Sequence, residues 1–200
     1  DWEDRRSRFG FDAKMFEKKV ELRFDFQSND GFRDIYDGLV DAYVRYKPSD
    51  SLAVTVGRFK PMIGYYDFMQ STNAQPTFER SQIFNQLGID RTAGVGFEGK
   101  VQQFIWQAGI YSNAIDRDRN DFDQAFGEFN GGWSTTLGVG YDFSKALDVK
   151  KADFRIDWLH SDRDADANIL NLYDDVISST FWVQDGDWSF VAEGYYAMGG

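Results

Sequence analysis

The chain has no cysteine, so it can form no disulfide and offers no thiolate to a metal or a substrate. It also lacks any run of 18 apolar residues, so no transmembrane helix is predicted. Basic residues are outnumbered: 33 acidic and 22 basic side chains give a formal net charge of -11. Nucleic-acid binding needs a concentrated basic footprint, and this balance argues against such a partner.

What the chain does have is alternation of apolar and polar residues. Residues 20–26 read Val-Glu-Leu-Arg-Phe-Asp-Phe, apolar at even positions and charged at odd ones. A period of two places the two sets on opposite faces of a β-strand. The predicted strands are 5–14, 18–27, 38–47, 52–59, 92–100, 103–112, 133–143, 151–160, 176–184 and 188–197.

The connections between these strands alternate strictly in length. Short ones are predicted at 15–17, 48–51, 101–102, 144–150 and 185–187, and long ones at 28–37, 60–91, 113–132 and 161–175. A soluble sandwich mixes turn lengths at both ends, whereas strict alternation is typical of an up-and-down topology. Short turns at one end and long loops at the other are the pattern of an outer-membrane barrel.

Strand length and charge placement favour the membrane form of this topology. Strands of about ten residues match the length that a tilted strand needs to cross a bilayer. Arg23 and Arg45 lie mid-strand, where exposure to lipid would cost about 2 to 4 kcal/mol, so their face is expected to meet water. Aromatic residues make up 18% of the chain and gather near strand ends, as at a headgroup level.

We therefore predict an all-β, antiparallel, up-and-down transmembrane β-barrel, with residues 1–200 forming a single barrel domain. The mean hydropathy of -0.53 fits a barrel, because only alternate residues face lipid. A soluble antiparallel β-domain with one solvated face shows the same alternation and is the alternative. Such a domain would bind ligand through its long loops.

No enzyme motif stands out: Gly-x-Ser-x-Gly, His-Glu-x-x-His and a phosphate loop are all missing. Some outer-membrane barrels are lipases or proteases, so catalysis by paired carboxylates in the lumen is the enzymatic alternative. The acidic run Asp162-x-Asp164-x-Asp166 begins like an EF-hand loop, but Ala167 replaces the glycine and Tyr173 the glutamate. We predict no enzymatic activity, no metal and no other cofactor, with loose divalent bridging to lipopolysaccharide at most.

Several segments resemble, in order, the phosphate-selective porin O and P family of Gram-negative outer membranes. They are Arg5 to Arg8, Asp41 to Tyr46, the Gly-Arg-Phe-Lys-Pro-Met-Ile-Gly run at 57–64, Thr-Phe-Glu-Arg-Ser at 77–81, Asp90 to Val95 and Trp106 to Tyr111. The resemblance implies a trimeric barrel of about 16 strands. The ten strands predicted above would then be a fragment of a longer barrel.

The resemblance also implies a porin for small ions and polar solutes, with phosphate as the anion and the cell outer membrane as the location. Two departures bear on selectivity. Met62 stands where the family has a second proline, and proline pre-sets the backbone as methionine does not. The acidic balance departs from the basic lining expected of an anion channel. A general or cation-preferring porin is therefore the alternative within this class.

The long loop 60–91 is the predicted pore constriction. Loops of this length are usually functional or disordered, and its aromatic content indicates that it packs against the inner wall. The candidate anion-binding residues are Arg58, Lys60, Arg80 and Arg91 in the constriction, with Arg23 and Arg45 on the wall. Glu79 is expected to orient an arginine through a charge-assisted pair. Cross-strand ion pairing on an ordinary wall is the alternative for each basic residue.

Overall fold

The computed structural model describes residues 7–28, 36–64, 87, 91–113, 132–162 and 173–199. These residues form ten strands and one short helix. The strands are β1 Ser7–Met15, β2 Val20–Ser28, β3 Leu39–Ser49, β4 Leu52–Phe59, β5 Thr92–Val101, β6 Phe104–Ser112, β7 Trp133–Asp142, β8 Lys151–Ser161, β9 Asp175–Asp185 and β10 Trp188–Met198, and the helix is α1 Ser144–Leu147.

Each strand pairs antiparallel with the next in the chain, so the sheet order is β1 to β10 without a crossover. The predicted all-β, up-and-down architecture is confirmed, and strand boundaries differ from the predicted ones by at most two residues. The sheet is not closed, because β1 and β10 are its two edges. No helix in the described part of the chain is long and apolar enough to cross a membrane.

Burial along the strands is inverted relative to a soluble β-sandwich. The side chains of Thr136, Asp157 and Ser178 are at most 1% exposed, whereas those of Val139 and Phe104 are 65% and 63% exposed. We call the face that carries the polar set the inner face and the opposite one the outer face. A soluble protein rarely exposes an apolar surface that extends over nearly every strand, and a barrel exposes one to lipid.

The tight connection between β7 and β8 is stabilised by local hydrogen bonds. Between β7 and β8, the Asp142 carboxylate accepts hydrogen bonds from both the amide and the hydroxyl of Ser144, which starts α1. The residue that caps the C-terminal end of the helix, Asp148, has a φ of 53°, which lies in the left-handed region. Where a plain turn was predicted at 144–150, one helical turn thus reverses the chain.

Glycines on the inner face leave room above β5 and β6. A Cβ atom on Gly96 would lie 2.6 Å from the Met62 Cε and 3.1 Å from the Phe59 ring. A Cβ atom on Gly109 would overlap the Tyr111 side chain. Because these glycines have no side chain, there is space on the inner face next to the end of β4. The residues that follow Phe59 occupy this space.

Candidate functional site

Residues 61–64, which we call the inner segment, cross the inner face directly after β4. Met62 and Ile63 are 1% and 3% exposed. Met62 packs with Phe59 and Tyr111, and Ile63 packs with Leu159 of β8 and Val176 of β9. The segment thereby extends from β4 across to β9, and its side chains contribute to two apolar clusters on the inner face.

Three side chains of the wall hold the backbone of the inner segment. The Met62 amide donates to the Tyr111 hydroxyl at 3.2 Å, and the Gln107 Nε2 donates to the Met62 carbonyl at 2.9 Å. The Gly64 amide donates to the Asp157 Oδ2 at 3.1 Å. Each buried backbone group named here has a partner, so the segment is fixed on the wall rather than loosely laid over it.

Gln107 also connects this attachment to a buried arginine. Its Nε2 donates to the Asp157 Oδ1 at 2.7 Å, and its Oε1 accepts from the Arg155 Nη2 at 2.6 Å. Both ends of the amide are therefore used, which fixes its orientation. Arg155 and Asp157 are connected through the neutral Gln107 amide, and among the described residues they form no direct ion pair.

A cavity of about 200 Å³ lies beside the inner segment, toward β3. Three of the predicted basic residues, Arg45, Lys60 and Arg91, line it together with Asp41 and Glu98. The aromatic rings of Tyr43 and Phe59 form part of its wall. The structure thus brings half of the predicted basic set to one place next to the described start of the long loop.

The predicted arginines of this region are paired with carboxylates. Arg91 Nε lies 2.6 Å from the Asp41 Oδ1, and Arg23 Nε lies 2.6 Å from the Asp25 Oδ2 and 3.7 Å from the Asp41 Oδ2. Asp25 and Asp41 face each other directly in the β2–β3 register. Two like charges opposite each other are unfavourable, and the ion pairs with Arg23 and Arg91 reduce this repulsion.

Arg45 forms an ion pair with Glu98, two strands away. Ala53 and Thr55 of the intervening β4 are small and only 3% and 5% exposed, so the pair passes over them. This pairing corresponds to the wall-charge alternative that the sequence left open. The Arg45 and Glu98 side chains line both the small cavity and a larger one, described below.

Arg58 lies apart from the other candidates. Its register partners are Ala42 and Ala93, in a row that continues Phe24 of the outer face. It is nevertheless 4% exposed, and its Nε donates to the Leu39 carbonyl at 3.2 Å. Arg80 and the predicted orienting carboxylate Glu79 lie outside the described residues.

A larger cavity of about 560 Å³ opens at the end of the sheet that carries the tight turns. Its basic lining residues are Arg45, Lys47, Lys100, Lys150, Lys151 and Arg155, and its acidic ones are Asp50, Glu98, Asp142 and Asp153. Six basic against four acidic side chains leave an excess of positive charge, in a chain that is acidic overall. Of these six, only Arg45 was among the residues predicted from the sequence. The alternation of the strands near the turns could have placed further basic residues on the inner face.

Four ion pairs account for all the acidic groups of the larger cavity. Besides Arg45 with Glu98 they are Lys47 with Asp50, Lys100 with Asp142 and Lys151 with Asp153. The hydrogen bond from Lys47 also lowers the pKa of Asp50, in the exposed turn, below its ordinary value. The described residues contain no group of three or more histidine or acidic side chains suited to hold a metal ion.

Comparison with known proteins gives one match. The model of the family described as phosphate-selective porin O and P matches residues 1–163 of the chain. No curated protein and no solved structure matches the chain. The family match covers β1 to β8, the inner segment and both cavities, so it includes the geometry described above.

Proposed function

Because the chain belongs to the phosphate-selective porin O and P family, we propose that it forms a channel through which phosphate and other small anions diffuse passively down their gradient. The family is one of channels, not of enzymes. A diffusion channel needs no catalytic group. It needs charges that replace part of the hydration of an ion, weakly enough to release it.

The observation that carries the proposal is the positive excess in the larger cavity. The protein has eleven more acidic than basic side chains, yet the cavity wall has six basic and four acidic ones. A low-dielectric wall with one sign of excess charge raises the local concentration of ions of the opposite sign. The cavity therefore favours anions although the whole chain does not.

We further propose that the inner segment begins the pore constriction. Its backbone is fixed on the inner wall by Tyr111, Gln107 and Asp157, and Arg45, Lys60 and Arg91 line the cavity beside it. A segment that lies across the inner face reduces the open cross-section of a barrel. The aromatic walls of Tyr43 and Phe59 would narrow the path further.

We place the channel in the outer membrane, as a homotrimer in contact with lipid and lipopolysaccharide. The exposed apolar side chains of the outer face support the lipid contact, and they argue against the soluble β-domain. The trimer follows from the family resemblance alone. Heat-modifiable migration in detergent is the expected behaviour, and solubility without detergent would contradict the placement.

A cation-preferring porin is the second candidate, and one observation favours it. Asp25 and Asp41 form a directly opposed carboxylate pair on the inner face of β2 and β3. If Arg23 and Arg91 neutralise that pair incompletely, this side of the pore would attract cations. The acidic net charge of the chain acts in the same direction.

The test is the reversal potential of single channels formed by the full-length porin in a planar bilayer under a potassium chloride gradient. The expected result is a potential of the sign given by chloride preference, and a chloride current that added phosphate reduces. A cation-type potential without a phosphate effect would contradict the anion assignment and leave the barrel standing. A preparation that forms no channels would contradict the porin function itself.

A further inference from the structure

Two basic residues of the larger cavity form no direct ion pair among the described residues. Each of its four carboxylates has a basic partner, and these partners are Arg45, Lys47, Lys100 and Lys151. The remaining basic residues are Lys150, which is exposed, and Arg155, which is 8% exposed. For neither of these two do the described residues provide a carboxylate within ion-pair distance.

Arg155 is the unusual member of the two. A buried guanidinium without a direct carboxylate partner stays charged and loses much of its hydration, which is costly. Its Nη2 donates to the neutral Gln107 amide, while its Nε is buried and has no hydrogen-bond partner among the described residues. The part of the Arg155 side chain that lines the cavity is suited to an anion that supplies a direct charge partner.

The chemistry of the site defines the class of ligand. A guanidinium presents several donors in one plane and matches the geometry of tetrahedral oxyanions such as phosphate. The cavity of about 560 Å³ admits such an ion with part of its water. Lys150 is a flexible, exposed cation on the same wall and adds attraction at longer range without a fixed geometry.

We propose that Arg155 is a specific binding residue for a permeating oxyanion in the larger cavity, an inference that rests on the proposed anion channel. Arg155 also shares Gln107 with the Met62 carbonyl and Asp157. The oxyanion site and the attachment of the inner segment are thus built on one side chain. Only Gln107 separates an ion bound at Arg155 from the inner segment, which begins the proposed constriction.

The experiment measures how inorganic phosphate reduces the chloride current of the full-length porin in planar bilayers. Arg155→Gln removes one positive charge and a charged donor, so the half-blocking phosphate concentration should rise about tenfold or more. Lys150→Gln is the matched control, because it removes the same charge from the same cavity. Its expected effect is about twofold.

Equal effects of Arg155→Gln and Lys150→Gln would overturn the specific site and leave only a diffuse positive field. If Arg155→Gln does not assemble, Arg155→Lys takes its place. It should weaken the phosphate effect about threefold or more while ion selectivity stays constant, since lysine keeps the charge and loses the planar donors. An unchanged phosphate effect in that variant would also overturn the site, and wild-type channels without any phosphate effect would remove the proposed anion function first.

Discussion

The backbone amide of Met62 donates a hydrogen bond to the hydroxyl of Tyr111, with 3.2 Å between the two heavy atoms. Proline has no amide hydrogen and could not make this bond. The family resemblance implies a second proline at this position, so methionine gives this chain an attachment to the wall that proline could not make. Met62 is 1% exposed, and its side chain fills the space above Gly96.

Replacement of Tyr111 by phenylalanine tests this attachment. Tyr111→Phe keeps the ring and removes the hydroxyl, which leaves the buried Met62 amide and the Thr136 hydroxyl, 3.5 Å away, without their acceptor. The expected loss is about 1 to 3 kcal/mol in the free energy of unfolding, measured by urea titration of the full-length porin in lipid vesicles. Tyr141→Phe is the control and should change little, because the Tyr141 ring packs at a tilt against Phe143 on the other face. Equal stability of the two variants would show that the bond contributes nothing.

Gly109 of the inner wall should not tolerate a larger residue. A Cβ atom there would overlap the hydroxyl and ring of Tyr111, which is fully buried and has no room to move. Gly109→Ala is therefore expected to destabilise the fold by about 1 to 3 kcal/mol and to displace the inner segment. Gly194→Ala is the control, because its nearest neighbour is the Ser179 Oγ at 3.3 Å. Urea midpoints of the two variants that coincide would mean that the wall is not closely packed at Gly109.

The strands could be predicted because alternation is a local property. Val20 to Phe26 alternate in the sequence and alternate in the sheet, and the lengths of the connections determine an up-and-down order. The attachment of the inner segment could not be read in this way. It depends on Gln107 and Asp157, which lie on β6 and β8 and meet the segment only in the folded sheet.

The candidate site was predicted in part for the same reason. Arg45, Lys60 and Arg91 do line one cavity, but the sequence contains no sign that Arg45 would pair with Glu98 over the small residues of β4. Arg58 lies opposite Ala42 and Ala93 in the sheet. This position could not be predicted without the register of the neighbouring strands. The excess charge of the larger cavity is a difference between groups on several strands and turns, and no local pattern encodes it.

Arg91 should matter for stability as well as for permeation. Its side chain and that of Asp41 are 13% and 11% exposed, and Asp41 directly faces Asp25. Arg91→Gln would leave two opposed carboxylates with the Arg23 guanidinium alone, at an expected cost of about 3 kcal/mol. The exposed pair of Lys19 with Glu17 provides the control, and Lys19→Gln should cost close to nothing. A similar urea midpoint for both variants would argue that solvent already screens the Asp25–Asp41 repulsion.

The last prediction concerns two lysines of one connection. Lys150 lines the larger cavity, while Lys145 lies on the exposed α1 and does not line it. Lys150→Gln should lower the chloride-to-potassium permeability ratio about twofold, because a partly screened charge several ångströms from the ion path contributes less than about 1 kcal/mol. Lys145→Gln removes the same charge from the same turn and should leave the ratio unchanged. Reversal potentials under a salt gradient measure both, and an equal shift in the two variants would mean that the net charge of this end, rather than the cavity lining, governs selectivity.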